Sequence, residues 1–348
     1  MKKKILSVVL ILICLCSAGC SGKKETPAIY VESEFAPLKK VIVSQSEFTD
    51  SVLPVEQSYI PIEELDKNNA EIIDGYIHFH VDKYVLERME QERLELIRIL
   101  EKYGVEVVRP RKLSEQELAL ATDPSGPTHG SGLSNFFVRD PFIVVGDHVV
   151  ESNFRKEYRR FEALTARDLF LGQCEYSAVP VSDISDPEAG PFLEGGDVIV
   201  YHKEIFVGNS GYGSNSAGIE WLREHLSPYG YTVTEVRLQG YILHLDCAMS
   251  LVREGLMIVC PDSFADGIPD TFAKWDMITV SETDAQHLAV NGLPVNPDVY
   301  ITDIAYTDTI GRELEKRGVK VEYIDMSATR KFSGSVHCST QPLLRLDK

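Results

Sequence analysis

A cysteine near the carboxyl end of the chain lies in a segment whose composition suits a nucleophile. Residues 333–340 read Ser-Gly-Ser-Val-His-Cys-Ser-Thr, so Cys338 is surrounded by small and polar neighbours. A thiolate is a strong nucleophile, and Gly334 would let the backbone approach a ligand closely. Since a lone cysteine is more often buried for packing, this segment predicts catalysis only together with other reactive groups.

The sequence His244-Leu245-Asp246 supplies an imidazole and a carboxylate two positions apart. On a β-strand, alternate side chains share a face, so His244 and Asp246 would point the same way and Cys247 would point into the core. This arrangement predicts a general acid or base beside a charge partner. The alternative is a structural histidine with no part in chemistry.

Two further segments place carboxylates at the start of apolar runs. Glu194 and Asp197 flank a double glycine, which implies a sharp turn that would present Glu194 inward. Arg139 and Asp140 would face opposite ways, and Asp140 opens a run of buried character. The alternative for both segments is an ordinary turn from a loop into a strand.

These acidic positions belong to a weak internal repeat. At Asp140, Asp197 and Asp246, roughly 50 residues apart, an acidic residue opens a strand, a polar turn follows and a second strand returns. Helical segments lie between the copies, at about 155–169 and 215–226. Repeats of this length indicate a propeller-like or stacked α/β arrangement, in which acidic strand starts would converge on one pocket. Ordinary hairpins with solvated acidic turns are the alternative.

The first third of the chain has the same α/β character. Residues 38–43 and 105–108 are predicted strands, and residues 82–103 show the spacing of a helix that ends at Gly104. Residues 121–134 are rich in Gly, Pro, Ser and Thr, which predicts a mobile loop of the kind that forms lids.

The amino terminus is predicted to be a targeting segment outside the fold. Three lysines precede an apolar run, and Ser17-Ala18-Gly19-Cys20 resembles the lipobox of bacterial lipoproteins, in which the cysteine is acylated. We expect lipidation at Cys20 and an anchor in the membrane of the bacterial cell envelope, outside the cytoplasm. Plain secretion or an uncleaved anchor is the alternative. The expected organisation is a signal peptide at 1–19, a tether at 20–30 and a single catalytic domain at 31–348.

The charge and the cysteines narrow the range of partners. The formal net charge is −18, and it becomes −21 without residues 1–19 and their three lysines. Such acidity argues against nucleic-acid binding and suits a cationic small molecule. No Cys-x-x-Cys pair occurs among Cys174, Cys247, Cys260 and Cys338, so neither a zinc site nor a disulfide scaffold is indicated. Whether Cys174 or Cys260 forms a disulfide stays open.

Two rival interpretations use other features. His78, His80 and Asp82 alternate, so three potential metal ligands would share one face of a strand, as in a metallohydrolase. A strand at the solvent edge explains the same pattern. The second rival is a lipoprotein that binds cationic solutes with the same carboxylates and performs no chemistry.

Four motifs in this order resemble the guanidino-modifying superfamily, which includes arginine deiminase, agmatine deiminase, dimethylarginine hydrolase and glycine amidinotransferase. The resemblance extends from Ser33 to Arg345. It implies a pentein fold, a five-fold pseudosymmetric α/β propeller of ββαβ-type units with the pocket on its axis. The motifs are Arg-Asp-Pro-Phe at 139–142, Glu-Gly-Gly-Asp at 194–197, His-Leu-Asp at 244–246 and Gly-x-x-His-Cys-x-Thr at 334–340.

The resemblance also implies a catalytic triad. Cys338 would attack the central carbon of a guanidinium and form a covalent amidino-thioether. His244 would protonate the leaving amine and then activate the incoming water or amine. Glu194 would hold His244 and stabilise its charge, as an orienting acid does in other triads.

The resemblance further implies that Asp140 and Asp246 grip the guanidinium, since paired carboxylates complement a planar cation. Arg139 and Asp197 are assigned to substrate binding with them, and neither a cofactor nor a metal is expected. Two carboxylates near Cys338 should raise the pKa of its thiol in the empty site, and a bound guanidinium would offset this.

Shorter sequence similarities to individual enzymes of this superfamily bear on the type of reaction. Glu194 is similar to the hydrolases, whereas residues 215–222 and His337 are similar to glycine amidinotransferase. Tyr212 stands where arginine deiminases carry an arginine. We expect hydrolysis of a small guanidine, an arginine derivative or an agmatine-like molecule. Amidino transfer to an amine is the alternative, and the oligomeric state stays open.

Overall fold

The computed structural model describes residues 27–55, 70–126, 130–181 and 189–347. The predicted signal peptide and Cys20 lie outside the described residues. Within these ranges, no helix has the length and apolar character needed to cross a bilayer. Tyr30 already lies in a strand and Ile29 is buried, so the tether predicted at 20–30 ends earlier than expected.

β-Strands make up most of the regular structure. In chain order the strands are β1 (Tyr30–Val31), β2 (Leu38–Val43), β3 (Glu47–Thr49), β4 (Ser51–Pro54), β5 (Ala70–Ile73), β6 (Tyr76–Phe79), β7 (Glu106–Val108), β8 (Leu133–Asn135), β9 (Phe142–Val145), β10 (His148–Glu151), β11 (Glu175–Ala178), β12 (Val198–Tyr201), β13 (Glu204–Asn209), β14 (Thr232–Arg237), β15 (Met249–Arg253), β16 (Leu256–Val259), β17 (Asp276–Thr279), β18 (Leu293–Asn296), β19 (Val299–Asp303), β20 (Lys320–Ile324) and β21 (Thr340–Arg345). The α-helices are α1 (Lys83–Lys102), α2 (Glu115–Ala121), α3 (Glu162–Ala166), α4 (Ser216–Leu226), α5 (Glu282–Gln286), α6 (Arg312–Lys316) and α7 (Ser327–Arg330).

Five of the sheets share the same strand order and pairing. In each, the first strand pairs antiparallel with the second, and the second pairs parallel with the third. The sheets are β9-β10-β11, β12-β13-β14, β15-β16-β17, β18-β19-β20 and β21-β2-β7. A parallel pair needs a crossover connection, and α3, α4, α6 and α1 lie in four of these crossovers. The repeat is therefore present in five copies, where the acidic pattern indicated three.

The carboxyl-terminal strand completes the amino-terminal sheet. β21 lies between β1 and β2, and Val31 of β1 bridges onward to Gly146 in the turn between β9 and β10. This pairing carries Cys338, just before β21, next to the start of β9. There the N–H of Arg139 donates to the Cys338 carbonyl at 3.2 Å. The two ends of the described chain thus meet beside the candidate nucleophile.

The longer helices follow the sequence prediction. Asp82 caps α1 by accepting from the N–H of Tyr84, and Gly104 follows the helix with φ +75°. Asn215 caps α4 in the same way. The helix predicted at 155–169 is instead broken into two short 3-10 turns around α3, and this places Arg159 among the buried residues.

The loop predicted at 121–134 is partly regular over its described residues. Its last residues begin β8, which pairs antiparallel with β3. Leu133 is fully buried, and its N–H donates to Thr49 Oγ1 at 2.6 Å. Residues 127–129 lie outside the described residues. The far end of this segment is therefore anchored in a sheet.

Apolar side chains on both faces of the strands form the core. All four residues of β9 and all four residues of β16 are buried. Near-continuous burial is typical of strands that are covered on both faces. The first strands of the other four sheets, β12, β15, β18 and β21, are also mostly buried, so these strands are firmly held and support the turns that precede them.

Candidate active site

The turns that precede the first strands of the five sheets carry the candidate site. Asp140 precedes β9, Asp197 ends a 3-10 turn before β12, and Asp246 lies in a 3-10 turn before β15. Asn291 precedes β18, and Cys338 precedes β21. All five side chains are at most 2% exposed. Groups that are far apart in the sequence therefore occupy the same place in successive units.

His244 lies between two carboxylates. Its Nε2 is 2.8 Å from Glu194 Oε2, and its Nδ1 is 3.7 Å from Asp140 Oδ1. Burial lowers the pKa of His244, but the charges of Asp140 and Asp197 and the hydrogen bond to Glu194 outweigh burial and raise this pKa to about 10. His244 is therefore an imidazolium at neutral pH, oriented by a carboxylate as a general acid would be.

The double glycine before β12 is required by close packing. A Cβ on Gly196 would lie 2.5 Å from His244 Nδ1 and 2.6 Å from Asp140 Oδ1. Gly195 is equally tight against neighbouring backbone. The predicted sharp turn is present, and it brings Glu194 up to the imidazole.

Asp197 makes hydrogen bonds within the protein, and its part in substrate binding stays a prediction. Its two oxygens accept from the N–H of Ser214 at 3.0 Å and from the N–H of Leu245 at 3.2 Å. Burial raises the pKa of Asp197 to about 7. The side chain thus joins the turn that carries His244 to the loop at Ser214.

Cys338 faces polar groups on one side and apolar groups on the other. Its Sγ donates to Asp246 Oδ2 at 3.4 Å and accepts from Asn291 Nδ2 at 3.2 Å, and the side chain also borders a cluster that includes Phe136. A hydrogen bond to Cys247 lowers the pKa of Cys338, but burial and the charge of Asp246 raise it by more. The pKa is thus raised, in the direction that the sequence predicted for the empty site.

The turn before β15 differs from the predicted strand. Leu245–Cys247 form a 3-10 turn, in which successive side chains rotate by roughly 120° instead of alternating. Asp246 contacts Cys338, whereas His244 contacts Glu194. Cys247 belongs to a buried apolar cluster, as predicted, and it also lies beside the nucleophile, with one ligand atom each of Asp246, Cys247 and Cys338 within 4.8 Å of one another.

Asp140 is held by a cation of the protein itself. Arg159 Nη2 donates to Asp140 Oδ2 at 2.7 Å, and the same guanidinium donates to Glu162 at 2.6 and 2.8 Å. Asp140 Oδ1 has no hydrogen-bond partner within the described part of the chain. A buried carboxylate oxygen without a donor is costly, so Oδ1 is the natural acceptor for an N–H of a ligand.

Arg139 lies beside Glu34, and its part in substrate binding stays a prediction. Its Nη1 is 3.9 Å from Glu34 Oε2, and both side chains line a small cavity with Gln341. Arg139 reaches Cys338 only through its backbone N–H. Among the described contacts, its guanidinium therefore serves the protein interior.

Sequence analysis misses Asn291 because the fourth repeat opens with an amide instead of an acid. Asn291 Oδ1 accepts from the N–H groups of Ser335 and Cys338, and its Nδ2 donates to the sulfur. The spacing of the repeat is the signal that could have found it. Asn291 follows Asp246 by 45 residues and precedes Cys338 by 47.

Other sequence expectations are corrected by the contacts. A Cβ on Gly334 would collide with the ring of Phe137, so this glycine serves packing and not the approach of a ligand. His80 of the rival metal strand pairs with exposed Asp50 at 2.9 Å. In the ranges that the structure describes, potential metal ligands gather closely only at Asp246, Cys247 and Cys338. The four described cysteines, Cys174, Cys247, Cys260 and Cys338, are free thiols.

Comparison with known proteins defines the class. Residues 130–345 match the model of the family described as N,N dimethylarginine dimethylhydrolase, eukaryotic, and the chain belongs to this family. Inosamine-phosphate amidinotransferase 1 from Streptomyces griseus is 27% identical, over 91% of this chain and 97% of its own length. The chain is therefore a guanidino-modifying enzyme of the cysteine-dependent superfamily that the motifs indicated.

Solved structures of such enzymes share the fold. An amidinotransferase of saxitoxin biosynthesis from Microseira wollei superposes with a TM-score of 0.74 at 23% identity, over 91% of this chain and 97% of that one. DDAH from Pseudomonas aeruginosa, in complex with citrulline, superposes with a TM-score of 0.62 at 16% identity, over 88% and 99%. These likenesses show that the chain shares the α/β fold of these enzymes.

Proposed function

We propose that the protein hydrolyses the guanidinium group of an arginine derivative or an agmatine-like cation through a covalent intermediate on Cys338. One observation carries this proposal: a thiol, an imidazolium and separate carboxylates meet in a buried region. Cys338 contacts Asp246, and His244 lies between Glu194 and Asp140. Carboxylates complement the planar cation, and a thiolate suits attack on its carbon.

The first half of the reaction forms the intermediate. Asp140 Oδ1 and the carboxylate of Asp246 accept N–H groups of the guanidinium, whose charge favours loss of the Cys338 proton to solvent. The thiolate forms a C–S bond with the central carbon. The C–N bond then breaks, and the departing amine or ammonia takes a proton from His244, which leaves an amidino-thioether on Cys338 and a neutral imidazole.

The second half releases the product. Neutral His244 accepts a proton from water as the oxygen forms a bond to the same carbon. The C–S bond breaks, the electron pair returns to Cys338 as the thiolate, and the new hydroxyl group loses its proton to solvent, where the released amine or ammonia takes up a proton. The product is a ureido compound if ammonia or a methylamine left first, or urea if the amine of the main side chain left first. Glu194 keeps the ring of His244 in place during both proton transfers.

Water is the acceptor that a closed site favours. Cys338 and His244 are each 2% exposed, so the smallest nucleophile reaches the intermediate with the least rearrangement. The match to the dimethylarginine hydrolase family supports the same choice.

Amidino transfer to an amine is the second candidate function. It is supported by the similarity to inosamine-phosphate amidinotransferase 1, which runs over nearly the full length of both chains. The first half of the reaction is common to both functions. They differ in whether water or an amine attacks the intermediate.

The proposal also includes the symmetry of the fold and the attachment of the protein to a membrane. The five like sheets would form a five-fold pseudosymmetric propeller with the site on its axis, which is supported by one site residue before the first strand of each sheet. The protein would be anchored to the bacterial cell envelope by a lipid on Cys20, which is supported by the lipobox-like sequence at 17–20.

Product analysis in ¹⁸O-labelled water tests the function. Arginine, agmatine, methylated arginines and guanidino acids are each incubated with the enzyme, with and without glycine or other amines. Hydrolysis predicts ¹⁸O in a ureido product or urea, and transfer predicts an amidinated amine without label. Binding of these cations without any product would contradict both functions and favour a solute-binding protein.

A further inference from the structure

We propose that His337 is a positioning residue for this reaction: held by Glu34, it keeps Asp246 charged and directed at Cys338. The inference rests on the proposed function and adds two residues to it. Neither His337 nor Glu34 is needed to contact the substrate. They act through Asp246, which touches the nucleophile.

The imidazole of His337 bridges two buried carboxylates. Its Nδ1 lies 2.8 Å from Asp246 Oδ2, and its Nε2 lies 3.1 Å from Glu34 Oε2. All three residues are at most 4% exposed. The backbone of His337 is fixed independently, because its N–H donates to the carbonyl of Asn291 at 3.1 Å. The contacts at both ring nitrogens and at the backbone therefore fix the orientation of the His337 side chain.

The contacts with His337 act on the protonation of the two carboxyl groups. Burial raises the pKa values of Glu34 and Asp246, but the hydrogen bonds to His337 and the nearby cations outweigh burial and lower each pKa to about 2. Both carboxyls are thus ionised, and each faces one ring nitrogen of His337 at hydrogen-bond distance.

These side chains form a row, Arg139, Glu34, His337 and Asp246, in which carboxylates alternate with nitrogen-bearing groups. Arg139 is 3.9 Å from Glu34, which bonds His337, which in turn bonds Asp246. Arg345 is a second buried cation that lowers the pKa of Glu34. A substrate guanidinium next to Asp246 would extend the series by one more cation. The row therefore keeps Asp246 negative without leaving an unpaired charge in the interior.

The pKa of the Cys338 thiol depends on this row of side chains. The groups that act on it are Cys247, Asp246, Asp140 and His244, together with the amide of Asn291. The negative charge of Asp246 opposes formation of the thiolate, and the hydrogen bond between His337 and Asp246 reduces that opposition. Removing the imidazole of His337 should therefore raise the pKa of Cys338, and removing the negative charge at Asp246 should lower it.

Alkylation of Cys338 by iodoacetamide as a function of pH, read by peptide mass spectrometry, tests the proposal without turnover. For His337→Gln the midpoint should rise by about one pH unit, and for Asp246→Asn it should fall. Glu34→Gln should raise it by less than His337→Gln, since the ring then keeps one carboxylate. The matched control is His148→Gln, which removes another buried histidine, in contact with Tyr229, and should leave the midpoint unchanged.

His337→Asn separates the contact with Asp246 from the contact with Glu34. Its amide nitrogen can take the place of Nδ1 and donate to Asp246, so the midpoint should rise by less than in His337→Gln, and KM should change little. With an active substrate, His337→Gln should raise KM by about tenfold and lower kcat by much less, because Asp246 acts in binding.

An unchanged alkylation midpoint in folded His337→Gln and Glu34→Gln variants, with melting temperatures near that of the wild type, would overturn the inference. That result would leave the proposed function intact. Conversely, absence of any product from a guanidine would defeat the function while the alkylation midpoints still report on His337.

Discussion

His244 is the side chain whose state depends most on its neighbours. Burial alone would lower its pKa, but Asp140, Asp197 and Glu194 together raise it to about 10. The ring proton is therefore present throughout the neutral range and is lost as the pH rises through about 10. In the empty enzyme His244 is thus ready to donate a proton to a leaving amine, and it becomes a base only after that step.

Glu194→Gln should lower kcat by about 100-fold or more and move the alkaline limb of kcat/KM to lower pH. The amide keeps the size of the side chain but removes the charge that favours the imidazolium. A pH–rate profile from pH 6 to about 11, a range chosen to bracket the raised pKa, checks this. Glu220→Gln on α4 is the control, since Glu220 is exposed and pairs with Arg223. A limb at the same pH in both variants would contradict the role given to Glu194.

Arg159→Lys should raise KM for a guanidine by about tenfold, because the single ammonium nitrogen of lysine lacks the planar fork that donates to Asp140 and Glu162 together. Without that fork, Asp140 Oδ1 is no longer held toward the site. Steady-state kinetics measures the effect. Arg167→Lys is the control on the same segment, since Arg167 pairs with Glu151. Equal KM values for the two variants would mean that Arg159 does not position Asp140.

At the scale of elements, each site residue lies in a turn before the first strand of a sheet, and these turns pack closely against one another. Gly196→Ala should therefore abolish turnover and reduce the free energy of unfolding by about 1–3 kcal/mol, since a Cβ would strike His244 and Asp140. Gly240→Ala is the control, because its Cβ would meet only Tyr212, at 3.9 Å. Activity and urea melts of both variants are compared. Full activity in Gly196→Ala would contradict this packing.

The sequence predicts β2, β7, the first two strands of three sheets and the helices α1 and α4, because these depend on local pattern. The turn at Leu245–Cys247 is predicted wrongly, since an alternating pattern cannot distinguish a strand from a 3-10 turn. Asn291 is missed because its repeat lacks the acidic signature. The contacts of Arg139 and Asp197 depend on Glu34 and Ser214, which are distant in sequence, so only the assembled fold shows them.

For the whole molecule, the segment from Ile29 to Glu34 joins several sheets. β1 pairs with β21, Ser33 bridges to Tyr201, and Glu34 contacts His337. A chain that lacks residues 1–28 should keep the activity and melting temperature of the chain that lacks only residues 1–19. A chain that lacks residues 1–34 should lose activity and melt at a lower temperature. Scanning calorimetry with a turnover assay measures both, and unaltered behaviour of the shortest chain would contradict this role.

The covalent intermediate on Cys338 is the central claim, and it is tested most directly by acid quench during turnover followed by peptide mass spectrometry. The account predicts a substrate-derived amidino adduct on the peptide that contains Cys338. The adduct should be absent from Cys338→Ala, which should still bind the guanidine but give no product. Turnover that continues undiminished in Cys338→Ala, with no adduct on the wild-type enzyme, would contradict the account.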